Sequence, residues 1–359
     1  MRSDLLEGAA RGGRRSIALA VLLASLSCGA VAIAVAIPRA ERAGAAAGPV
    51  WPAPPDAPRL RWLASVSSDR DAGMKRSWVE RVRSTITGGT TRRLGRPIGL
   101  CALPSGGFLV CDPGSATIYE ADPFAGTFRV FASGGRLASP VGVAKLPSGE
   151  VWVADADRAV IVRFDARGAW KGEVGAGTLV RPTGLARDPA SGRVYVADAH
   201  AHHVAVFEAD GRHVTNLGRR GEGAGEFNFP TDVEVLPGGD LVVCDAMNSR
   251  IQRIAPDGRP VARFGRAGDA RGDFGRPKSL AVDADGHVYV VDTLHDVVQV
   301  FDPSGQLLLV VGGAGAGAGQ FNLPAGIAIG ADQKVYVSDT ANGRVQVFQY
   351  LREGTGARR

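Results

Sequence analysis

The chain has 359 residues, 45% apolar and 22% charged, which excludes wholesale disorder. Its net charge of +6 is uneven: residues 1–96 carry 16 Lys/Arg against 7 Asp/Glu, and residues 97–359 carry 26 against 29. The faintly acidic bulk argues against a nucleic-acid partner, and four scattered cysteines (Cys28, Cys101, Cys111, Cys244) exclude a disulfide framework or a CxxC zinc site.

Residues 1–16 form a cytoplasmic n-region that ends in Arg14-Arg15-Ser16. The next 21 residues, Ile17 to Ile37, carry no charge. At about 1.5 Å per helical residue they reach roughly 31 Å, the thickness of a bilayer's hydrocarbon core. A secretory signal's apolar region is shorter, about 7–15 residues, so the run reads as a transmembrane anchor with the N-terminus inside. Ala34-Val35-Ala36 offers the alternative of a cleaved signal and a secreted product. Either way, the chain beyond residue 37 is expected on the extracytoplasmic side of the cell membrane. Residues 38–57, rich in Pro and Ala, read as a semi-extended linker.

Leu60-Arg61-Trp62-Leu63-Ala64-Ser65-Val66 alternates as a strand does, and residues 58–68 are assigned as a strand that closes the fold. Residues 69–95 form an insertion. There Trp78, Val79, Val82 and Ile86 fall on one face at helical spacing, beside Lys75, Arg76, Arg81 and Arg83, so a short amphipathic helix is expected.

From residue 96 to 350 one phrase recurs: a proline, a small residue two on, a turn, then an apolar strand ending in aspartate. The instances are RPIGLCALPSGGFLVCD, SPVGVAKLPSGEVWVAD, RPTGLARDPASGRVYVAD, FPTDVEVLPGGDLVVCD, RPKSLAVDADGHVYVVD and LPAGIAIGADQKVYVSD. The aspartates are Asp112, Asp155, Asp198, Asp245, Asp292 and Asp339, spaced 43, 43, 47, 47 and 47 residues apart. Two further strands follow each of the first five. Four short strands per repeat cannot bury both faces alone, and stacking the repeats radially gives an all-β, six-bladed propeller. The sixth repeat supplies only Ala325–Ile329, Val335–Ser338 and Val345–Gln349 before the polar tail at 351–359, so residues 59–67 are expected to complete its blade, antiparallel to Val345–Gln349.

The phrases Phe227-Asn228-Phe229-Pro230, Asn248-Ser249-Arg250-Ile251-Gln252, Phe321-Asn322-Leu323-Pro324 and Asn342-Gly343-Arg344-Val345-Gln346-Val347-Phe348 resemble those of bacterial NHL-repeat six-bladed propellers. The resemblance covers roughly residues 58–350. It implies the fold and says little about function, because similar propellers include RNA binders, ubiquitin-ligase substrate modules, lyases and scaffolds.

The glycine runs 221–225 and 312–319 lead through Phe-Asn-x-Pro into a strand and not into a helix N-terminus, so they are blade connections and not phosphate loops. His200, His202 and His203 cluster in one turn, and His287 and His295 lie two repeats later. Three or four convergent ligands are what zinc needs. No metal, cofactor or catalytic residue is assigned, and the histidines are expected to be solvated. Cys101 is expected opposite Val110, on the other face from Cys111.

One repeat breaks its own rule. Two and four residues after the proline the others carry Gly99/Cys101, Gly142/Ala144, Gly184/Ala186, Ser279/Ala281 and Gly326/Ala328, whereas the fourth has Asp232 and Glu234. Both lie on one face of an innermost strand, with Lys278 starting the equivalent strand of the fifth repeat and Arg187 in that of the third. Either Glu234 pairs with Arg187 between blades, or Asp232, Glu234, Lys278 and Arg187 form a ligand pocket at the channel mouth. The expected function is a membrane-tethered, non-catalytic module that binds a protein, small ligand or glycan. The alternatives are a lyase or hydrolase working at the channel mouth and, against the charge balance, an RNA-binding module.

Overall fold

A computed structural model of the protein describes residues 48–72 and 92–352. The apolar run 17–37 and the expected helix around Trp78–Ile86 lie outside the described residues; among those described, no helix is long and apolar enough to cross a membrane. The chain from residue 96 on folds into six antiparallel sheets in sequence order, the first five of four strands each. Each blade runs outward from an inner strand that begins at or just after the repeat's proline. In the fourth blade the strands are Pro230–Val235, Leu241–Asp245, Arg250–Ile254 and Pro260–Phe264. The second strand of every blade is buried along its whole length or nearly so, as a strand packed on both faces must be.

The core lies in six apolar clusters, one at each seam between blades. Phe227, Phe274 and Phe321, from the three Gly-rich loops, are fully buried in them. Each aromatic contributes about 1.5–3 kcal/mol by leaving water. The preceding glycines make room: Gly218, Gly265 and Gly312 hold φ of +83°, +80° and +102°, and a Cβ at any of them would strike the phenylalanine ring.

The recurring aspartate has a physical cause. All six are fully buried, and each accepts backbone N–H bonds from the loop leading into its own blade's inner strand. Asp198, for example, accepts from Val180 at 2.7 Å and Arg181 at 2.8 Å. In blades 4 and 6 the same carboxylate also gathers the Asn-x-Arg-x-Gln phrase. Asp245 accepts from Arg250 Nε at 2.7 Å, Asn248 Nδ2 at 2.9 Å and Gln252 Nε2 at 3.0 Å. Arg250 then donates to the carbonyls of Glu222, Gly223 and Glu226, clamping the glycine-rich loop.

Blade 6 takes strands from both ends of the chain. Leu60–Val66 pairs antiparallel with Arg344–Tyr350, from Leu60 opposite Tyr350 to Val66 opposite Val345. Val50–Trp51 adds a fifth strand outside it. Residues 50–52 are therefore not linker: the Trp51 ring meets Phe348 edge-on at 5.7 Å, and the exposed residues 53–57 join this strand to the next.

Candidate functional site

Where the six inner strands meet, a cavity of about 450 Å³ opens on the axis, within the range of small-molecule pockets. Its wall is mostly backbone and small side chains: Gly99, Gly142, Gly184 and Gly326 leave the strands close together. Into it project Asp232 and Glu234 of blade 4 and Lys278 of blade 5, while Arg96 and Arg181 stand at its mouth.

Asp232 and Glu234 leave the same face of their strand at successive depths. Asp232 ties three blades together. It accepts from Ser279 Oγ at 2.6 Å and Leu280 N at 3.0 Å in blade 5, and lies against Gly184 of blade 3, where a Cβ would collide with it. Burial nevertheless pushes its carboxyl up to about 6, the Ser279 and Leu280 bonds only partly offsetting the loss of water. Glu234 has no ion-pair partner among the described residues, and the Val235 backbone amide is the one hydrogen-bond donor acting on its carboxyl. Burial first, and then the charge of Asp232, push it up to about 8. Both carboxyls thus hold a proton more tightly than a free carboxyl does.

Lys278 reaches the cavity because the inner strand bulges between Pro277 and Ser279, which turns a residue of the wrong parity toward the axis. Burial holds its ammonium below the usual lysine range, the charge of Asp232 offsetting this only in part, and no carboxylate among the described residues forms an ion pair with it. Arg181 is shared with Asp157 at 3.2 Å.

Arg187 is a correction. It does not pair with Glu234 and does not line the cavity; it donates to the Pro189 carbonyl. It sits an odd number of residues from its proline, so its side chain leaves the opposite face. The cysteines need another. Cys101 lies opposite Leu109, not Val110, because the hairpin closes between Leu103 and Gly107. Cys101 and Cys111 therefore share a face, and both are free thiols.

The histidines are less solvated than expected. His202 is buried and accepts from Phe229 N at 3.2 Å, and half-buried His203 is held below the usual histidine range by desolvation. His295 takes the place that Asn248 has in blade 4, its Nδ1 lying 2.8 Å from Asp292. Asp283, Asp285 and His287 come together at one hairpin turn, away from the axis. There Asp283 is occupied by His287, Tyr289 and turn amides, and Asp285 by Arg352.

The axial carboxyls make stability depend on pH. Both bind protons more tightly in the fold than in the unfolded chain, so their contribution to stability falls as pH rises from about 4 and levels off above about 8. Glu234→Gln removes the larger part of this. In urea unfolding the variant is expected to match the wild type near pH 4 and to exceed it at pH 9, by on the order of 1–3 kcal/mol. A gap that does not vary with pH would contradict the assignment.

A family model of the NHL repeat matches residues 321–348, and one for a 6-bladed beta-propeller matches residues 188–253. No curated protein matches significantly. Among solved structures, a Bacteroides thetaiotaomicron protein of unknown function superposes with a TM-score of 0.61 at 13% identity, over 81% of this chain and 75% of that one. A gluconolactonase from Xanthomonas campestris gives 0.59 at 18%, over 85% and 98% of the two chains. Virginiamycin B lyase from Staphylococcus aureus, a catalytically inactive variant with quinupristin, gives 0.52 at 15%, over 71% and 95%. At such identities the likeness is one of fold. The family matches and the six sheets agree: the chain folds as a six-bladed β-propeller that carries an NHL repeat at residues 321–348.

Proposed function

We propose that this chain is a ligand-binding propeller, held outside the cytoplasmic membrane by residues 17–37, whose ligand is a small polar molecule that enters the axial cavity. One observation carries the reading: Asp232, Glu234 and Lys278 bring ionisable groups to the axis, where the positions equivalent to the two carboxylates are mostly glycine and alanine and those equivalent to Lys278 are all uncharged. Ionisable groups set in a cavity wall cost solvation free energy that a Gly/Ala wall would not, and Glu234 and Lys278 recover none of it from an ion-pair partner. A bound polar ligand would supply the missing contacts. No cofactor or metal is assigned to this role, and no histidine lines the cavity.

The test replaces both carboxylates by the repeat's own choices, Asp232→Gly with Glu234→Ala. Thermal-shift screening of the full-length protein against a library of small polar metabolites is expected to give hits that the folded double variant loses. Hits that persist unchanged in that variant would move the binding site off the axis.

A second reading is favoured by the placement of two carboxyls on one strand face in the cavity wall, both held above the usual carboxylate range by burial, since such a pair suits general acid–base catalysis. The lyase and the gluconolactonase show that enzymes occur on this fold. Hydrolysis of a lactone by the wild type, abolished in Glu234→Gln, would establish the catalytic reading over the binding one.

A further inference from the structure

We propose that the ligand of the axial cavity is dipolar, with an anionic group at the mouth and an ammonium group at the depth of Glu234. This rests on the axial-pocket reading and names its ligand class. The charges are ordered along the axis. Arg96 and Arg181 directly precede the inner-strand prolines Pro97 and Pro182 and so stand at the entrance, and Lys278 lies one residue inside Pro277. Asp232 is two residues inside its own proline, and Glu234 four. From Lys278 to Glu234 the strands descend three positions, about 10 Å at roughly 3.3 Å per residue.

Positive charge at the entrance and acid below satisfy one another only in part: Lys278 and Asp232 favour each other's ionised forms, but they form no ion pair. Arg181 is taken by Asp157 and Asp232 by Ser279 and Leu280, while Lys278, Arg96 and Glu234 have no ion-pair partner among the described residues. A cavity wall that keeps an unpaired lysine at one depth and an unpaired glutamic acid at another can take an anionic group at the first and a cationic group at the second. An anion alone would satisfy Lys278 and leave Glu234 as it is, bringing negative charge toward Asp232. A cation alone would have to pass Arg96 and Lys278 and would leave them unsatisfied. A molecule carrying both charges at the ends of a short chain satisfies both levels at once. As its ammonium arrives, Glu234 gives up its proton and becomes the counter-ion. A cavity of about 450 Å³ holds a molecule of that size.

The experiment is calorimetric titration of the full-length protein with three probes of one chain length: 6-aminohexanoate, hexanoate and hexylamine. We expect 6-aminohexanoate to bind at least tenfold more tightly than either singly charged probe. Lys278→Met should bring its affinity down to that of hexylamine, and Glu234→Gln to that of hexanoate, with near-UV circular dichroism confirming that both variants are folded. Equal binding of a singly charged probe, lost in the Asp232→Gly, Glu234→Ala variant, would overturn the dipolar class while leaving the axial site in place. Binding of 6-aminohexanoate that neither single variant changes, or binding of none of the three, would overturn the inference; the metabolite screen then decides the axial reading separately.

Discussion

A chain that begins at Asp69 is expected to lose the cooperative melting of the full-length protein, although every repeat from residue 96 on remains. Deletion removes Leu60 and Val66, both buried, which contribute about 1.5–3 kcal/mol each. It also removes the partly buried Trp51, Trp62 and Leu63 from the seams on either side of blade 6. Trp62 Nε1 no longer donates to Gln346, which itself holds the Gly319 amide and the Gln320 carbonyl. Arg344–Tyr350 becomes an open edge with unpaired backbone groups. The combined loss, roughly 5 kcal/mol or more, takes up most of the 5–15 kcal/mol by which a domain is typically stable. Calorimetric melting of the truncated chain checks this, and a transition at the full-length temperature would contradict the closure.

Asp245→Ala should be the most damaging single substitution among the recurrent aspartates. Its carboxylate faces Arg250, whose side chain is only 8% exposed, and it also accepts from Asn228 N, Asn248 and Gln252. Removing it strands a buried guanidinium, a loss of about 3–5 kcal/mol. Asp155→Ala is the control. That carboxylate accepts only the backbone amides of Ala138, Ser139 and Arg158, so its loss should cost about 1–3 kcal/mol. Urea unfolding of the two variants reads the difference; equal losses would show that the arginine clamp contributes nothing beyond the amide bonds.

The blades were legible because the recurrent aspartate is a fixed point of geometry: it must be buried, and it must sit a set distance after the loop whose amides it accepts. That requirement writes itself into spacing. Leu60–Val66 carried a second local signal, alternation, which is why a segment far from its partner in sequence could be matched to an incomplete blade. Val50–Trp51 carried no such signal. Two residues cannot show a period, and Pro52, Pro54 and Pro55 gave the segment the composition of a linker.

At the axis, parity and turn length decided what could be read. Asp232 and Glu234 stood out because they replace small residues at positions where the repeat tolerates nothing else close to the axis. Arg187 was grouped with them by charge alone, and its odd position sends it to the other face. Lys278 has the same odd parity and still reaches the cavity, because a bulge intervenes; nothing in its own residue type announces the bulge, although the same irregularity recurs beside the inner-strand proline in blades 2, 4 and 6. The face of Cys101 turned on one hairpin. Leu103-Pro104-Ser105-Gly106-Gly107 holds two glycines with positive φ, +91° and +73°, and closes as a longer loop than a two-residue turn would.

Native mass spectrometry of the full-length protein, purified from the host that makes it, tests the axial site most directly. The expected result is a small-molecule adduct of constant mass on the wild type, acquired on incubation with the host's metabolite extract if it is lost in purification, and absent from the folded Asp232→Gly, Glu234→Ala variant. An adduct that the variant retains, or a wild type that takes up nothing from that extract, would contradict it.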